Sequence, residues 1–282
     1  LVNKYLYRKG GAETYFIKLG EYLKSLGNEV EYFGMADERN CVENRVEAYT
    51  ENIDFHKKSL KHITYPFKII YSVNARKQIR KVLSDFKPDV VHLNNFNYQL
   101  TPSIIYEIKK HNIPIVYTAH DVQLVCPNHK LKNDYTYGLC RKCDGGKYFE
   151  CVKNNCVHSS KIRSILGAVE AWYYKLRHTY KMIDLTVCPS EFMEKEISRN
   201  DDINGRTVTM YNFIDEIKPL GAECENYVLY FGRYSEEKGI LNLVKAAKKL
   251  SNIPFVFAGK GELENEVNSA DNIKNVGFKT GD

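Results

Sequence analysis

No stretch of this 282-residue chain approaches the roughly 18–20 consecutive apolar residues that a membrane-spanning helix needs, which argues against a helical membrane protein. A leader is missing as well. Leu1-Val2-Asn3-Lys4-Tyr5 has no initiator Met and no positively charged apolar run, and it reads as the tail of a strand whose beginning is absent. The Gly-x-Gly-x-x-Gly fingerprint is absent from the first domain, which argues against a bound nicotinamide dinucleotide there. Acid is scarce between Lys57 and Lys87, where Asp85 stands alone against nine Lys or Arg. Tyr65, Phe67, Ile69, Ile70, Tyr71 and Val73 are interleaved with them. Such a stretch fits an anionic membrane surface, or equally a solvated helix face beside an ordinary core face.

The remaining composition is that of a soluble globular protein, 43% hydrophobic and 27% charged with a net charge of +6, and the length allows two domains. Strand-like and helix-like patterns alternate. A helix with Tyr15, Phe16, Leu19, Leu23 and Leu26 on one face ends at Gly27-Asn28, and Val30–Phe33 reads as a strand. Short buried-type strands follow at Pro88–Leu93, Pro114–Thr118, Leu185–Cys188 and Thr207–Met210. Between them lie helices around 102–111, 162–182 and 191–198, with an irregular stretch at 127–160. A second series opens at Tyr227, with strands ending at Phe231 and Ala258 and a third at Ile273–Val276. Alternation of this kind predicts an α/β fold with mostly parallel sheets. The expected organisation is a Rossmann-like domain over 1–212 with a Cys-rich insertion at about 126–160, a linker at 213–226, and the start of a second domain over 227–282.

In an open parallel sheet, ligands bind beyond the carboxyl ends of the strands. Three loops so placed carry chemistry. In Tyr227-Val228-Leu229-Tyr230-Phe231-Gly232-Arg233, an apolar strand runs into a turn that Lys238-Gly239 closes at the start of a helix. Backbone N–H groups and the helix dipole favour an anion there, and two fixed cations suit a diphosphate; a solvated surface turn is the plain alternative. Gly10-Gly11 would let backbone approach a ligand closely. His120, directly after a strand and followed by Asp121, could hydrogen-bond a polar substrate, although a lone His is more often structural. Gly259-Lys260-Gly261 forms a fourth turn of the same type. Finally, Cys140-x2-Cys143-x7-Cys151-x4-Cys156 is a four-thiolate set. Its short spacings suggest a closed structural zinc site, with an iron–sulfur cluster, two disulfides or a reduced loop as the other readings. Cys126 lies near enough to join the set, whereas Cys41, Cys188 and Cys224 are scattered.

Four of these stretches, in order, carry a resemblance: Gly10-Gly11-Ala12-Glu13, Pro88-Asp89-Val90-Val91-His92, Ala119-His120-Asp121, and Val228–Arg233 with Glu237-Lys238-Gly239. Together they resemble a glycosyltransferase of the GT-B fold, family 4, over the whole chain. The Cys-rich loop is similar to an insertion in bacterial members linked to capsule or O-antigen assembly. The resemblance implies two Rossmann-like domains facing across a cleft and a nucleotide-diphosphate sugar, UDP- or GDP-linked, held mainly by the second. In that reading Arg233 and Lys238 neutralise the diphosphate and leaving group. Gly10, Gly11, Gly232 and Gly239 approach the donor phosphate or acceptor, His120 contacts the donor sugar, and Gly259 and Gly261 lie near the nucleoside. Transfer would retain anomeric configuration and need no metal for catalysis.

Family members also carry two Glu separated by seven residues, further along the second domain. Glu262, Glu264 and Glu266 precede that point, and the chain ends at Asp282. A truncated second domain with little activity by itself is therefore the expectation. The acceptor would be a glycan or a polyprenyl-diphosphate-linked glycan in bacterial surface polysaccharide synthesis. The setting would be cytoplasmic, with peripheral contact to the inner membrane and no nucleic-acid partner. The competing reading is a non-catalytic basic α/β binding module with a structural zinc knuckle.

Overall fold

The computed structural model describes residues 1–52, 65–133, 138–203, 205–214 and 225–279. The chain folds as two compact units, Leu1–Ile214 and Asp215–Asp282. In the first, helix α1 (Gly11–Ser25) is followed by α2 (Tyr65–Ile70), α3 (Val73–Phe86), strand β1 (Val91–Leu93), α4 (Ser103–Lys110) and β2 (Ile115–Thr118). Then come α5 (Phe149–Lys153), α6 (Lys161–Leu176), β3 (Leu185–Cys188), α7 (Glu191–Ile197) and β4 (Thr207–Thr209). The second unit holds β5 (Val228–Phe231), α8 (Ile240–Lys249), β6 (Phe255–Ala258), α9 (Glu264–Val267) and β7 (Ile273–Gly277).

The first sheet runs β1-β2-β3-β4, all parallel. Parallel bridges Val2–Leu93, Val2–Phe33 and Met35–Thr50 extend it beyond β1. The segments at Val2 and Phe33 join by single bridges rather than full strands, yet Phe33 donates to Leu1 O, Asn3 to Phe33 O and Met35 to Lys4 O. The spatial order is therefore Thr50, Phe33, Val2, β1, β2, β3, β4. The order in which strands are added reverses between Val2 and β1, the switch point at which doubly wound sheets open a crevice. The second unit is a parallel β5-β6-β7 sheet. Both are Rossmann-like, as GT-B requires.

Helices form where caps and periodicity agree. Ser72 accepts from Ala75 N at 3.1 Å to start α3, which stops at Lys87 in the left-handed region before Pro88. Ile79, Val82 and Leu83 of α3 and Ile104, Ile105 and Ile108 of α4 cover the sheet over Leu93, Ile115 and Tyr117. Two of the nine cations of the basic stretch turn to α4: Arg76 donates to Glu107 Oε2 at 2.8 Å and Arg80 to Oε1 at 2.6 Å. The charge of these two is used within the fold. Residues 53–64, with Lys57, Lys58 and Lys61, lie outside the described residues.

Two expectations change in detail. The helix expected to reach 182 ends at Leu176, because His178 takes a left-handed backbone (φ 48) and Thr179–Met182 continues as a 3-10 turn. The irregular stretch 127–160 contains α5 and a short 3-10 turn at Asp144–Gly146.

The zinc knuckle is not supported among the described residues. Cys140, Cys143, Cys151 and Cys156, together with Cys126, do line one cavity of about 10 Å³. Among the described residues, however, no three His, Cys, Asp or Glu side chains are placed to hold a metal ion. The sulfurs are engaged otherwise: Cys126 Sγ donates to Asn128 Oδ1 at 2.9 Å, Asn133 Nδ2 donates to Cys140 Sγ at 3.3 Å, and Cys151 and Cys156 bond each other. Burial, then neighbouring thiols, pushes Cys143 up to about 12. All five are free cysteines. Closure of the loop comes instead from Arg141, which pairs with buried Glu196 of α7, from Arg199 on Asp144, and from Trp172 Nε1 donating to Gly146 O at 3.0 Å.

Candidate functional site

In the first unit, functional side chains gather at the carboxyl ends of Val2, β1 and β2, beside the switch point. His120 follows β2 by two residues, and its Nε2 meets Asn94 Oδ1 at 2.9 Å. An Asn carbonyl oxygen only accepts, so Nε2 carries the hydrogen and Nδ1 is left as an acceptor. Burial draws the His120 pKa down to about 4, with Asp121 opposing, so the ring is neutral at pH 7. Its edge rests on Tyr15 of α1 at 5.3 Å between ring centroids. Asn94 Nδ2 is buried without a protein partner.

Gly10 caps the start of α1 in an extended conformation with no side-chain cap. A Cβ at Gly10 would come within 3.4 Å of Glu13 Oε2, whereas at Gly11 nothing lies within 4 Å. Open space at Gly11, rather than packing, leaves the backbone there accessible. Glu13 is buried and accepts from Asn95 Nδ2 at 3.5 Å.

A second group, which the sequence did not single out as a site, adjoins it. His129 Nδ1 lies 3.3 Å from Asp121 Oδ2, and Gln123 N donates to Asp121 Oδ1 at 2.9 Å. His129 stacks on Tyr98 at 5.7 Å, and Lys4 Nζ donates to Asn97 Oδ1 at 3.0 Å. Beside them a cavity of about 420 Å³ is lined by Lys4, Tyr5, Tyr98, Arg163 and Glu170. Burial lowers Lys4 to about 8 and raises Glu170 to about 7, so both change charge near neutrality while His120 does not. A signal for this group existed: Lys4, Asn97 and Asp121 each follow a strand end. A larger cavity of about 570 Å³ opens against Leu1, Glu31, Lys87 and Val91, away from all of these groups. His92 lies within β1, bonded to Thr118 Oγ1 at 2.7 Å, and burial lowers it to about 3. It is a satisfied sheet histidine.

In the second unit, Gly232 (φ +145) and Gly239 (φ +74) occupy backbone conformations that side chains rarely adopt, so the turn between them needs glycine at both ends. Tyr230 OH donates to Arg233 O at 2.9 Å and fixes the turn. Arg233 and Lys238 are exposed. Arg233 meets Glu237 at 3.5 Å in a solvent-facing pair, which is worth about 0–1 kcal/mol and is easily exchanged for a stronger anion.

Gly259 and Gly261 have a packing reason of their own. A Cβ at Gly259 would lie 1.9 Å from Gly232 O, and one at Gly261 2.2 Å from Tyr234 O. The second turn is therefore pressed backbone to backbone against the first, held by Tyr234 N donating to Lys260 O at 2.9 Å. Gly261→Ala is expected to destabilise the second unit by about 3 kcal/mol, because backbone cannot move aside as a side-chain tip can. Thermal melts of variant and parent check this.

The model of Glycosyltransferase Family 4 matches residues 9–217. The chain belongs to that family. A Klebsiella pneumoniae protein described as an uncharacterized 42.6 kDa protein in the cps region is 25% identical over 270 residues, covering 91% of this chain and 66% of its own length. The chain thus spans just under two thirds of that relative. Among solved structures, Anabaena HepE in complex with UDP aligns with a TM-score of 0.58 at 14% identity, covering 99% of this chain and 68% of that one. The lipopolysaccharide outer core galactosyltransferase WaaB aligns at 0.51 and 11% identity, covering 99% and 67%. At such identities the structural likeness establishes the fold of this family 4 chain and nothing finer.

Proposed function

We propose that the polypeptide of its relatives' length is a retaining glycosyltransferase. It moves a sugar from a nucleotide-diphosphate donor to a glycan or lipid-linked glycan acceptor in bacterial surface polysaccharide synthesis, at the cytoplasmic face of the membrane. The observation that carries this reading is the turn after β5, where Gly232 and Gly239 shape the backbone while Arg233 and Lys238 stand exposed beside it. It is supported by the family membership, by the HepE complex with UDP and by the relative in a cps region.

In the proposed reaction the acceptor hydroxyl oxygen bonds to the anomeric carbon as that carbon's bond to the donor phosphate oxygen breaks. The departing phosphate takes the hydroxyl proton. Negative charge grows on the leaving diphosphate, and Arg233 and Lys238 meet it as fixed cations that need no reorganisation. Neutral His120 turns its Nδ1 acceptor towards a donor sugar hydroxyl while Asn94 holds its other nitrogen. Open backbone at Gly11 allows close approach of phosphate or acceptor. Gly259 and Gly261 hold the first turn in place from behind, and the nucleoside is assigned to their outer side.

The deciding experiment is transfer and thermal shift with the polypeptide extended to its relatives' length, using UDP- and GDP-sugars. Turnover with one nucleotide series, and a rise in melting temperature with the matching free diphosphate, is expected. Neither response with either series would sink the reading. Because His120 is already neutral above about pH 5, the rate profile is expected to show no inflection near 6.5 from this residue. His120→Asn should lower kcat/KM without introducing one.

A further inference from the structure

Two contacts orient the His120 ring. Asn94 Oδ1 accepts from Nε2 at 2.9 Å, and the Tyr15 ring stands edge-on to the imidazole at 5.3 Å and 71°. The hydrogen bond by itself is a loose anchor. It leaves the imidazole free to tilt about the line joining the two atoms, and Asn94 is not fixed in turn through its Nδ2, which is buried without a protein partner. Tyr15 adds a second restraint from another direction, carried on the second turn of α1. That ring has a seat of its own. Tyr15 and Tyr22 lie seven residues apart, two turns along one face of the helix. Phe213 packs against both, 5.2 Å from Tyr15 and 6.4 Å from Tyr22 between ring centroids, within the range at which aromatic pairs attract.

Phe213 stands where the chain leaves the first sheet. Met210 N still donates to Cys188 O at 2.9 Å, and the first unit ends at Ile214. Among the side chains after that bond Phe213 is the covered one, 40% exposed against 68% for Tyr211 and 75% for Ile214. It ties the departing chain back to α1. We propose that Tyr15 is a positioning residue for His120 and that Phe213 acts behind it, so that the end of the first unit bears on the ring that meets the donor sugar. Tyr15 acts through His120 rather than on the substrate. An imidazole that offers Nδ1 to a sugar hydroxyl must keep its plane within roughly 10–20° of the productive orientation. An edge contact from a ring packed on a helix meets that demand, where one hydrogen bond does not. The proposal rests on the assignment of His120 to the donor sugar.

Magnetic resonance of the 282-residue chain with isotope-labelled histidine gives the first readout. The His120 ring signals, assigned by their loss in His120→Asn, are expected to move in Tyr15→Ala and to stay near the parent's in Tyr15→Phe, which keeps the ring. On the extended polypeptide, Tyr15→Ala should lower kcat/KM by roughly three- to tenfold, mostly in kcat, and Tyr15→Phe should recover the loss. Phe213→Ala should act in the same direction by less. A double-mutant cycle separates positioning from plain packing: in a His120→Asn background, Tyr15→Ala should cost little more. Tyr15→Leu, which keeps apolar volume, takes the place of Tyr15→Ala should the latter not fold. Unmoved His120 signals, parent-like turnover in Tyr15→Ala, or losses that multiply in the double variant overturn the proposal. If His120→Asn turns over as fast as the parent, the assignment of His120 falls and the proposal with it. If His120→Asn is slow while Tyr15→Ala is not, the proposal alone falls.

Discussion

Arg233→Ala is expected to abolish the rise in melting temperature that free UDP or GDP gives the extended polypeptide, and to cut turnover by about 10²–10³-fold. Both effects follow from one geometry. Arg233 leaves β5 at a turn whose glycines fix the backbone, and its competing bond is a solvent-facing pair with Glu237. Giving up that pair costs almost nothing, whereas an arginine fork on a diphosphate makes charge-assisted, two-point contact. Lys238→Ala should reduce turnover in the same direction but by less, because an ammonium is a point charge without the planar fork. Glu237→Gln separates the readings. If Arg233 serves the donor, removing its surface partner leaves turnover near the parent's. If the pair is merely structural, Arg233→Ala and Glu237→Gln should have similarly small effects on melting and none on turnover.

Glu107→Ala is expected to destabilise the first unit by about 3 kcal/mol, read from the midpoint of urea unfolding. Glu107 side-chain exposure is 2%, and it takes Arg76 at 2.8 Å and Arg80 at 2.6 Å. Removing it strands Arg76, which is 19% exposed, while Arg80 at 54% regains water, so the cost stays at the lower end for a broken buried pair. Chiefly the bond from Arg80, and then that from Arg76, holds the Glu107 pKa at about 2, against an ordinary value of 4.5. A depressed acid contributes stability that is full above its unfolded pKa and is lost as pH falls through the folded one. Unfolding midpoints should therefore decline between about pH 4.5 and 2, and Glu107→Ala should flatten that decline.

The two predictions concern residues of unequal legibility. Gly232, Arg233, Lys238 and Gly239 could be named from spacing, because a strand-to-helix turn is a local event and its glycines answer local backbone demands. His120 was placed correctly at a strand end, but its neutrality was not readable: that comes from burial and from Asn94, 26 residues away. The basic stretch suggested a surface, and two of its cations proved to clamp Glu107 of α4, Arg76 largely covered and Arg80 from the solvent side. The Cys-rich loop shows the same limit from the other side. Its spacing predicted a metal, and the five thiols do share one small cavity, yet their bonds run to amides and to one another. The family match favours a transferase over the competing reading of a non-catalytic zinc module.

By itself, the sequence determined the α/β alternation, the parallel sheets, the family and the glycine-bounded turn after β5. All of these are set by periodicity and by residues close together along the chain. Only the tertiary structure decided which charges meet. It brought Lys4, Asn97, Asp121 and His129 together beside one cavity, turned Arg76 and Arg80 onto Glu107, and left the apolar stripe of α6 facing outward. Helical spacing announces that a face exists, but whether it is core or surface depends on what the rest of the chain lays against it.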